Sequence, residues 1–517
     1  MVSAAVPGTQ PEETGSPSRI VLYLLAALLT ATAAHAQQPP APHKDGAKPQ
    51  APLTKAQSKE LLDSVDEILK FVSTDTKLPI THPVKRKLVS RDEVNRYLQK
   101  KFDEDESTRR LQNSEIVLKK FGLLERDFDL RPFLIKLLTE QIAGFYDEKT
   151  KTVNLLDYVV PEEQKPVLAH ELTHALQDMR VDLVKWSDLT PPGNPHTVQE
   201  DNHRLQVDES GSAREAVTEG QAMVTFLDYS MRDTGHTLAD APQVVDKLKD
   251  SLGDNSDSPV MARAPLLLQQ TLMFPYIEGL GFEAALLAKG GRDAAFAGAL
   301  ANPPTSTFEI IHPEAYLNHA HVPQMTLPDL RPLMPQYSFY DLGVMGELDV
   351  RILTELFGGH DIAAAISPEW DGGVYYAAQR TAATPAEKQT PASVGLIYVS
   401  RWKNEDTAHS FLRIYAGQLA RKYSGLARRP KDETDEDEQV YTTTEGDVLL
   451  TSKDNTVYAL EGFPVAQART LRDAIDAVQT TGPILQATTP TAELIPRLAA
   501  LLNSVIPERY TSRGLNP

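Results

Sequence analysis

The chain has 517 residues, of which 41% are hydrophobic, and its formal net charge is −19 at pH 7. This length and apolar content are enough for two or three domains with buried cores, and they exclude a disordered chain. The acidic balance argues against nucleic acid or an anionic membrane as a partner, and the absence of cysteine excludes disulfides and thiolate metal ligands.

The N-terminal region predicts export. An apolar run over residues 20–34 leads into Ala34-His35-Ala36, a small-residue cleavage pattern, so we expect residues 1–36 to be a signal peptide cleaved after Ala36. A membrane anchor is the alternative, but the run is shorter than the roughly 20 residues of a spanning helix. We therefore expect a periplasmic or extracellular protein with no stable membrane insertion after cleavage. Residues 37–53, rich in Pro, Ala and Gln, predict a flexible linker.

Apolar residues repeat at helical spacing from about residue 54, and Ser90 with Glu93 matches a capping box that opens a helix. These helices belong either to a propeptide or to the start of a catalytic domain, and the lack of a linker after them favours the second. The spacing then changes, and residues 143–147 and 152–156 predict a hairpin. Such a hairpin can be part of the core, an edge that pairs with an extended substrate, or both.

The pentapeptide His170-Glu171-Leu172-Thr173-His174 carries the clearest chemistry in the chain. Apolar residues around it predict a helix that has Pro166 in its first turn. In a helix, residues four apart differ by about 40° around the axis, so both imidazoles can reach one metal ion. Glu171 lies about 100° from His170, beside the metal position, and suits a general base better than a ligand.

A catalytic zinc usually has three protein ligands, so a further donor is expected downstream. Residues 213–230 predict a helix with Glu219 inside an otherwise apolar face, where a carboxylate is costly unless it is paired or binds a metal. Glu215, one turn earlier, is the competing candidate, and Gly220 would allow a neighbouring helix to approach closely. Three residues are candidates for orienting the imidazoles: Gln177, Asp178 and Glu215.

Together, His170–His174 and Glu219-Gly220-Gln221-Ala222 resemble the gluzincin class of zinc metallopeptidases, of which thermolysin is a member. Looser similarity to a group of uncharacterised bacterial proteins of this type covers three further stretches: Gly144–Asp147, Asn302–Thr307 and His312–Glu314. The resemblance implies one Zn²⁺ bound by His170, His174 and Glu219, with Glu171 as the catalytic base. The aminopeptidase signature Gly-x-Met-Glu-Asn is absent, which argues against that branch. The other zincin arrangement needs a glycine and a third histidine where Gln177 and Arg180 stand.

The expected fold class is α+β. Residues 54–335 are predicted to form a mainly helical, zincin-like metallopeptidase domain with a small edge hairpin or sheet. Within them, residues 231–262 are weakly periodic and predict a loop at the rim of the cleft. Helix and strand patterns mix after residue 336, and they predict a C-terminal α+β accessory domain over residues 336–517.

The expected function is zinc-dependent hydrolysis of peptide bonds in a protein or peptide substrate. The oxyanion that develops during such hydrolysis needs a hydrogen-bond donor, and Tyr276 and His312 are the candidates. The alternative is a catalytically retired zincin scaffold that serves as an envelope binding or assembly protein with structural zinc. The intact ligand and base residues argue against that alternative. The sequence indicates no oligomeric state.

Overall fold

The computed structural model describes residues 52–479, except 103–104, 142–143, 188, 190, 192, 241–244, 246 and 250–257. The predicted signal peptide, nearly all of the predicted linker, part of the predicted 231–262 loop and the end of the predicted accessory domain lie outside the described residues. The fold is mixed α+β and contains a seven-stranded antiparallel sheet. Among the described helices, none has the length and apolar character needed to cross a membrane.

The N-terminal part combines four helices with a three-stranded sheet. Its elements are α1 Lys55–Thr76, β1 Lys85–Val89, α2 Arg91–Phe102, α3 Asp105–Phe121, α4 Leu130–Gln141, β2 Gly144–Asp147 and β3 Thr152–Leu156. The capping box predicted at Ser90 is present, since the Ser90 hydroxyl accepts from Glu93 N and the Glu93 carboxylate accepts from Ser90 N. The predicted hairpin is also present, because β2 pairs antiparallel with β3. Strand β1, parallel to β3, was not predicted, because three of its five residues are Lys or Arg.

The helices described with their bounds between β3 and the second half are α5 Pro161–Val181, α6 Leu183–Trp186, α7 Val198–Leu205, α8 Ser210–Met231, α9 Leu266–Asp293, α10 Ala299–Ala301, α11 Thr307–Ile311 and α12 Pro313–Leu317. Helix α8 packs on both α5 and α9. Helix α9 begins at Leu266 and contains Pro275. Gly291, with φ 66°, interrupts its helical backbone near the end.

The second half is built around the seven-stranded sheet, whose strand order is β4-β5-β6-β10-β9-β8-β7. Its elements are β4 Tyr337–Val344, α13 Glu347–Gly358, α14 His360–Ile366, β5 Trp370–Arg380, β6 Val394–Trp402, α15 Glu405–Gly417, α16 Leu419–Lys422, β7 Ala427–Arg428, β8 Gln439–Thr443, β9 Gly446–Lys453, β10 Thr456–Glu461 and α17 Val465–Gln479. Ile352 lies within α13, and Asp454-Asn455 forms the turn between β9 and β10. Strands β4 and β5 were missed.

Helix α3 joins the two halves of the molecule. Phe121 at its end is fully buried and contacts Tyr375 and Tyr398 of the sheet edge-on, with ring centroids 5.5 Å apart in both pairs. The neighbouring Lys120 ammonium, also buried, lies 3.0 Å from the Glu445 carboxylate. One hydrophobic core therefore runs from the helices into the sheet.

A buried carboxyl group marks the same junction near the start of α8. The Glu209 carboxylate accepts hydrogen bonds from the Thr307 backbone N–H and hydroxyl. Burial raises the pKa of Glu209 to about 7, against the lowering effect of the Thr307 bonds, and the Asp208 and Glu347 charges add to the rise. Glu209 is therefore protonated in the folded chain over a pH range in which it is ionised in the unfolded chain.

We expect Glu209 to make the free energy of unfolding fall as pH rises from about 4.5 to about 7, because its carboxyl group binds more protons in the folded state there. For a shift from 4.5 to about 7, the Glu209 contribution to this fall is on the order of 3 kcal/mol. Glu209→Gln should remove that contribution in urea unfolding curves measured at pH 5 and pH 8. Glu125→Gln, at a side chain that is 78% exposed, is the control and should keep it. An unchanged pH dependence in Glu209→Gln would contradict the prediction.

Candidate metal centre

Helix α5 carries the pentapeptide through the core. Pro161 occupies its first turn, where a missing N–H costs nothing, and Glu162 and Glu163 place negative charge at the positive end of the helix dipole. The residue that caps its C-terminus, Asp182, has a left-handed backbone with φ 53°. The helix begins earlier than the sequence predicted, so Pro166 lies inside the helix rather than in its first turn.

Helix α8 approaches close enough to bring Glu219 to the two histidines, and glycines make the approach possible. A Cβ on Gly220 would lie 2.3 Å from the Gly279 carbonyl oxygen of α9, and a Cβ on Gly279 would lie 2.3 Å from the Ala216 carbonyl oxygen. Both distances are far below van der Waals contact. The close helix approach predicted at Gly220 is therefore present, and its partner is α9.

Three predicted ligand side chains converge between α5 and α8. His170 Nε2 lies 3.2 Å from Glu219 Oε2, and His174 Nε2 lies 3.5 Å from the same oxygen. Ligand atoms of all three residues lie within 4.8 Å of one another. The histidine side chains are 0% exposed and that of Glu219 is 1% exposed. This buried cluster could hold a metal ion.

The protonation of the cluster follows from burial and pairing. Burial lowers the pKa of His170 to about 4. Burial also acts to lower the pKa of His174, but the Glu219 charge and hydrogen bond overcome it and raise that pKa to about 9. Burial acts to raise the pKa of Glu219, but the His174 charge and the hydrogen bonds with His170 and His174 hold it below its usual value. In the metal-free chain at neutral pH His174 is therefore protonated and Glu219 is ionised, and a bound metal ion would displace the Nε2 proton of His174.

Glu171 lies next to the cluster with one oxygen bound and the other unsatisfied. Its Oε2 accepts a hydrogen bond of 2.7 Å from the backbone N–H of Tyr146 in β2. Its Oε1 is buried and has no hydrogen-bond partner among the described residues. Burial raises the pKa of Glu171 to about 8. A carboxyl group with a pKa near neutrality and an unoccupied oxygen can exchange a proton in either direction.

Asp178 of α5 forms hydrogen bonds with the β2–β3 hairpin that contacts Glu171. Its Oδ2 accepts hydrogen bonds from the Tyr146 hydroxyl, at 2.7 Å, and from Lys151 Nζ, at 2.6 Å. Its Oδ1 accepts from the Leu183 backbone N–H. Asp178, a candidate for orienting the imidazoles, instead holds the hairpin in place. The hairpin belongs to the core and also touches the site.

Gln177 is the candidate that contacts an imidazole. The distance from His174 Nδ1 to Gln177 Oε1 is 2.8 Å, and Gln177 Nε2 donates to the Thr218 carbonyl and to Gln221 Oε1. Sequence reasoning named Gln177 as one of three candidates and missed Gln221. The available signal for Gln221 was a second amide within the apolar helix that carries Glu219. Glu215, the competing ligand candidate, lies outside the three-residue cluster, and its charge acts on Tyr276.

The two oxyanion candidates differ in position. The Tyr276 ring lies parallel to the His170 ring with centroids 6.5 Å apart, and its hydroxyl forms a hydrogen bond with Glu219. Burial raises the pKa of Tyr276 well above its usual value, so its hydroxyl stays a neutral donor. His312 instead lies 2.8 Å from the Glu347 carboxylate, which raises its pKa. Tyr276 borders the cluster, whereas His312 pairs with α13.

The geometry thus defines a buried site that combines two imidazoles, a carboxylate and a separate carboxyl group with one unsatisfied oxygen. Comparison of the chain with family models, with curated proteins and with solved structures gives no match.

Proposed function

We propose that the chain is an exported, zinc-dependent metallopeptidase of the gluzincin class that hydrolyses peptide bonds in protein or peptide substrates. The observation that carries the proposal is the convergence of His170, His174 and Glu219 beside Glu171, whose Oε1 is buried and unsatisfied. Two neutral imidazoles and one carboxylate are a donor set that zinc takes in catalytic sites, where three protein ligands leave a fourth position for water.

The two histidine-to-Glu219 distances fit a tetrahedral ion. With metal–ligand bonds of about 2.0–2.1 Å, two ligand atoms of a tetrahedron lie about 3.3–3.4 Å apart. The two histidine-to-Glu219 distances of 3.2 and 3.5 Å bracket that separation. The absence of cysteine and the presence of two imidazoles favour zinc over calcium or magnesium, which prefer oxygen ligands.

When bound, zinc supplies a Lewis acid that polarises a carbonyl group and lowers the pKa of a water molecule. The chain provides the proton transfers. Glu171 Oε1 accepts a proton from the attacking water, and Glu171 later delivers that proton to the leaving amine. The hydrogen bond from Tyr146 N fixes the other oxygen, so the carboxylate keeps its orientation during both transfers.

Tyr276 is the proposed oxyanion donor. We expect Tyr276→Phe, assayed at saturating zinc, to lower kcat by about 10²–10³-fold with little change in KM, as loss of one such donor does. Tyr398→Phe removes the hydroxyl of another fully buried tyrosine, on β6, and should leave kcat unchanged. Steady-state kinetics on a peptide substrate checks both variants. An undiminished kcat in Tyr276→Phe would remove Tyr276 from this role.

A second candidate function is an envelope binding or assembly protein that keeps zinc as a structural element. The burial of all three ligand side chains and of Glu171 favours it, because structural zinc sites are closed. Metal content by mass spectrometry, together with cleavage of a mixed protein substrate by the purified chain, separates the two functions. Zinc with cleavage that a chelator abolishes supports the peptidase, and zinc without any cleavage supports the structural role.

A further inference from the structure

A chain of amide hydrogen bonds leads from His174 to the far side of α8. His174 Nδ1 lies 2.8 Å from Gln177 Oε1, and Gln177 Nε2 lies 2.9 Å from Gln221 Oε1. Gln221 Nε2 in turn donates to the carbonyl oxygens of Ala295, at 2.7 Å, and Phe296, at 3.1 Å. His174, Gln177 and Gln221 are all 0% exposed, so water does not compete for these bonds. We call Gln177 and Gln221 the amide chain.

The far end of the amide chain fixes its direction. A backbone carbonyl can only accept, so Gln221 must turn its NH₂ group towards Ala295 and Phe296 and its oxygen towards Gln177. Gln177 must therefore turn its NH₂ group towards Gln221, where the Thr218 carbonyl also accepts from it. The Gln177 oxygen that remains faces His174 Nδ1. That nitrogen must carry a proton, which leaves the Nε2 lone pair for a metal ion.

The backbone at the far end is shaped to accept these bonds. Residues Ala294–Gly298 form a π-helical turn. In an α-helix the Ala299 N–H would donate to the Ala295 carbonyl, but here it donates to Ala294 and Phe296. The Ala295 carbonyl is thereby released from its α-helical partner and forms the shortest bond to Gln221. The wide turn thus supplies an acceptor that a regular helix would already have used.

We propose that Gln221 and the π-helical turn are positioning elements that act through Gln177 to hold His174 in its metal-binding tautomer. The inference rests on the proposed metal site and does not depend on peptidase activity. His170 offers a contrast, since its Nδ1 is buried without a hydrogen-bond partner among the described residues. His174 is the ligand whose ring the surrounding structure fixes.

Zinc affinity, measured by competition with a chromogenic chelator, tests the proposal without reference to hydrolysis. We expect Gln177→Met to weaken zinc binding about 10–100-fold, the usual cost of removing a partner of a ligating histidine, and Gln221→Met to weaken it about 10-fold. Because Gln221 acts through Gln177, the double variant should bind zinc no more weakly than Gln177→Met alone. In the zinc-loaded wild type, proton NMR should show a hydrogen-bonded His174 Nδ1–H that broadens or shifts in Gln221→Met.

Gln164→Met is the matched control. Gln164 lies on the same helix as His174, is 0% exposed and has three hydrogen bonds to backbone groups, so its loss disturbs folding in the same way. It should leave zinc affinity unchanged. Zinc binding by Gln221→Met at the wild-type level, an equal loss in Gln164→Met, or additive losses in the double variant would each overturn the inference. A wild-type chain that binds no zinc would refute the proposed metal site as well.

Discussion

Glu171→Gln is expected to lower kcat by about 10²–10⁴-fold while the chain keeps its zinc, since general acid–base catalysis contributes that much. The structure explains why the substitution is selective. The glutamine oxygen can accept the hydrogen bond from Tyr146 N that Glu171 Oε2 accepts now. Its NH₂ group then stands in place of the unsatisfied Oε1, where it cannot take a proton from water. The geometry is preserved and only the base is lost.

The measurement pairs steady-state kinetics with zinc content for the same preparation. Glu162→Gln, at an exposed position in the first turn of the same helix, is the control and should behave as the wild type. Full activity in Glu171→Gln would refute the base assignment. If zinc and activity are lost together, Glu171 supports the metal site and its role as a base is not needed.

The elements that carry the site could be predicted because their signals are local. The spacing of His170 and His174 requires only a helix for both rings to face one point, and the surrounding apolar residues predict that helix. Glu219 could be selected because it is an acid within an apolar face, which a buried helix tolerates only with a partner. Both signals lie within about two helical turns of sequence.

The features that were missed depend on contacts between distant segments. Gln221 of α8 forms its hydrogen bond with the π-helical turn at Ala294–Gly298. No pattern of residue spacing in the sequence predicts that turn. The hydrogen bond from Tyr146 to Glu171 depends on how the hairpin lies across α5. Strand β5 was missed because its third and fourth residues are Gly372 and Gly373, which weaken the sequence pattern of a strand. Pairing with β4 and β6 on both sides decides its conformation.

Glu219→Gln tests the ligand that spacing alone cannot assign, and we expect it to abolish stoichiometric zinc binding. The Nε2 atoms of His170 and His174 lie 3.2 and 3.5 Å from the same carboxylate oxygen of Glu219. The substitution therefore removes one proposed ligand of three, together with its negative charge. Zinc affinity should fall by more than about 100-fold, the upper end of the loss expected for a residue that only orients a ligand.

Glu215→Gln distinguishes the two acids on α8. Both are buried carboxyl groups on one helix, with 2% and 1% exposure for Glu215 and Glu219, so a general cost of replacing a buried acid would appear in both variants. Only Glu219 joins the histidine cluster, and zinc titration followed by chelator competition should therefore separate them. Zinc retained by Glu219→Gln and lost by Glu215→Gln would reverse the assignment. Equal retention by both variants would mean that the two histidines bind the ion without an acid from α8, which leaves too few protein ligands for a catalytic zinc site.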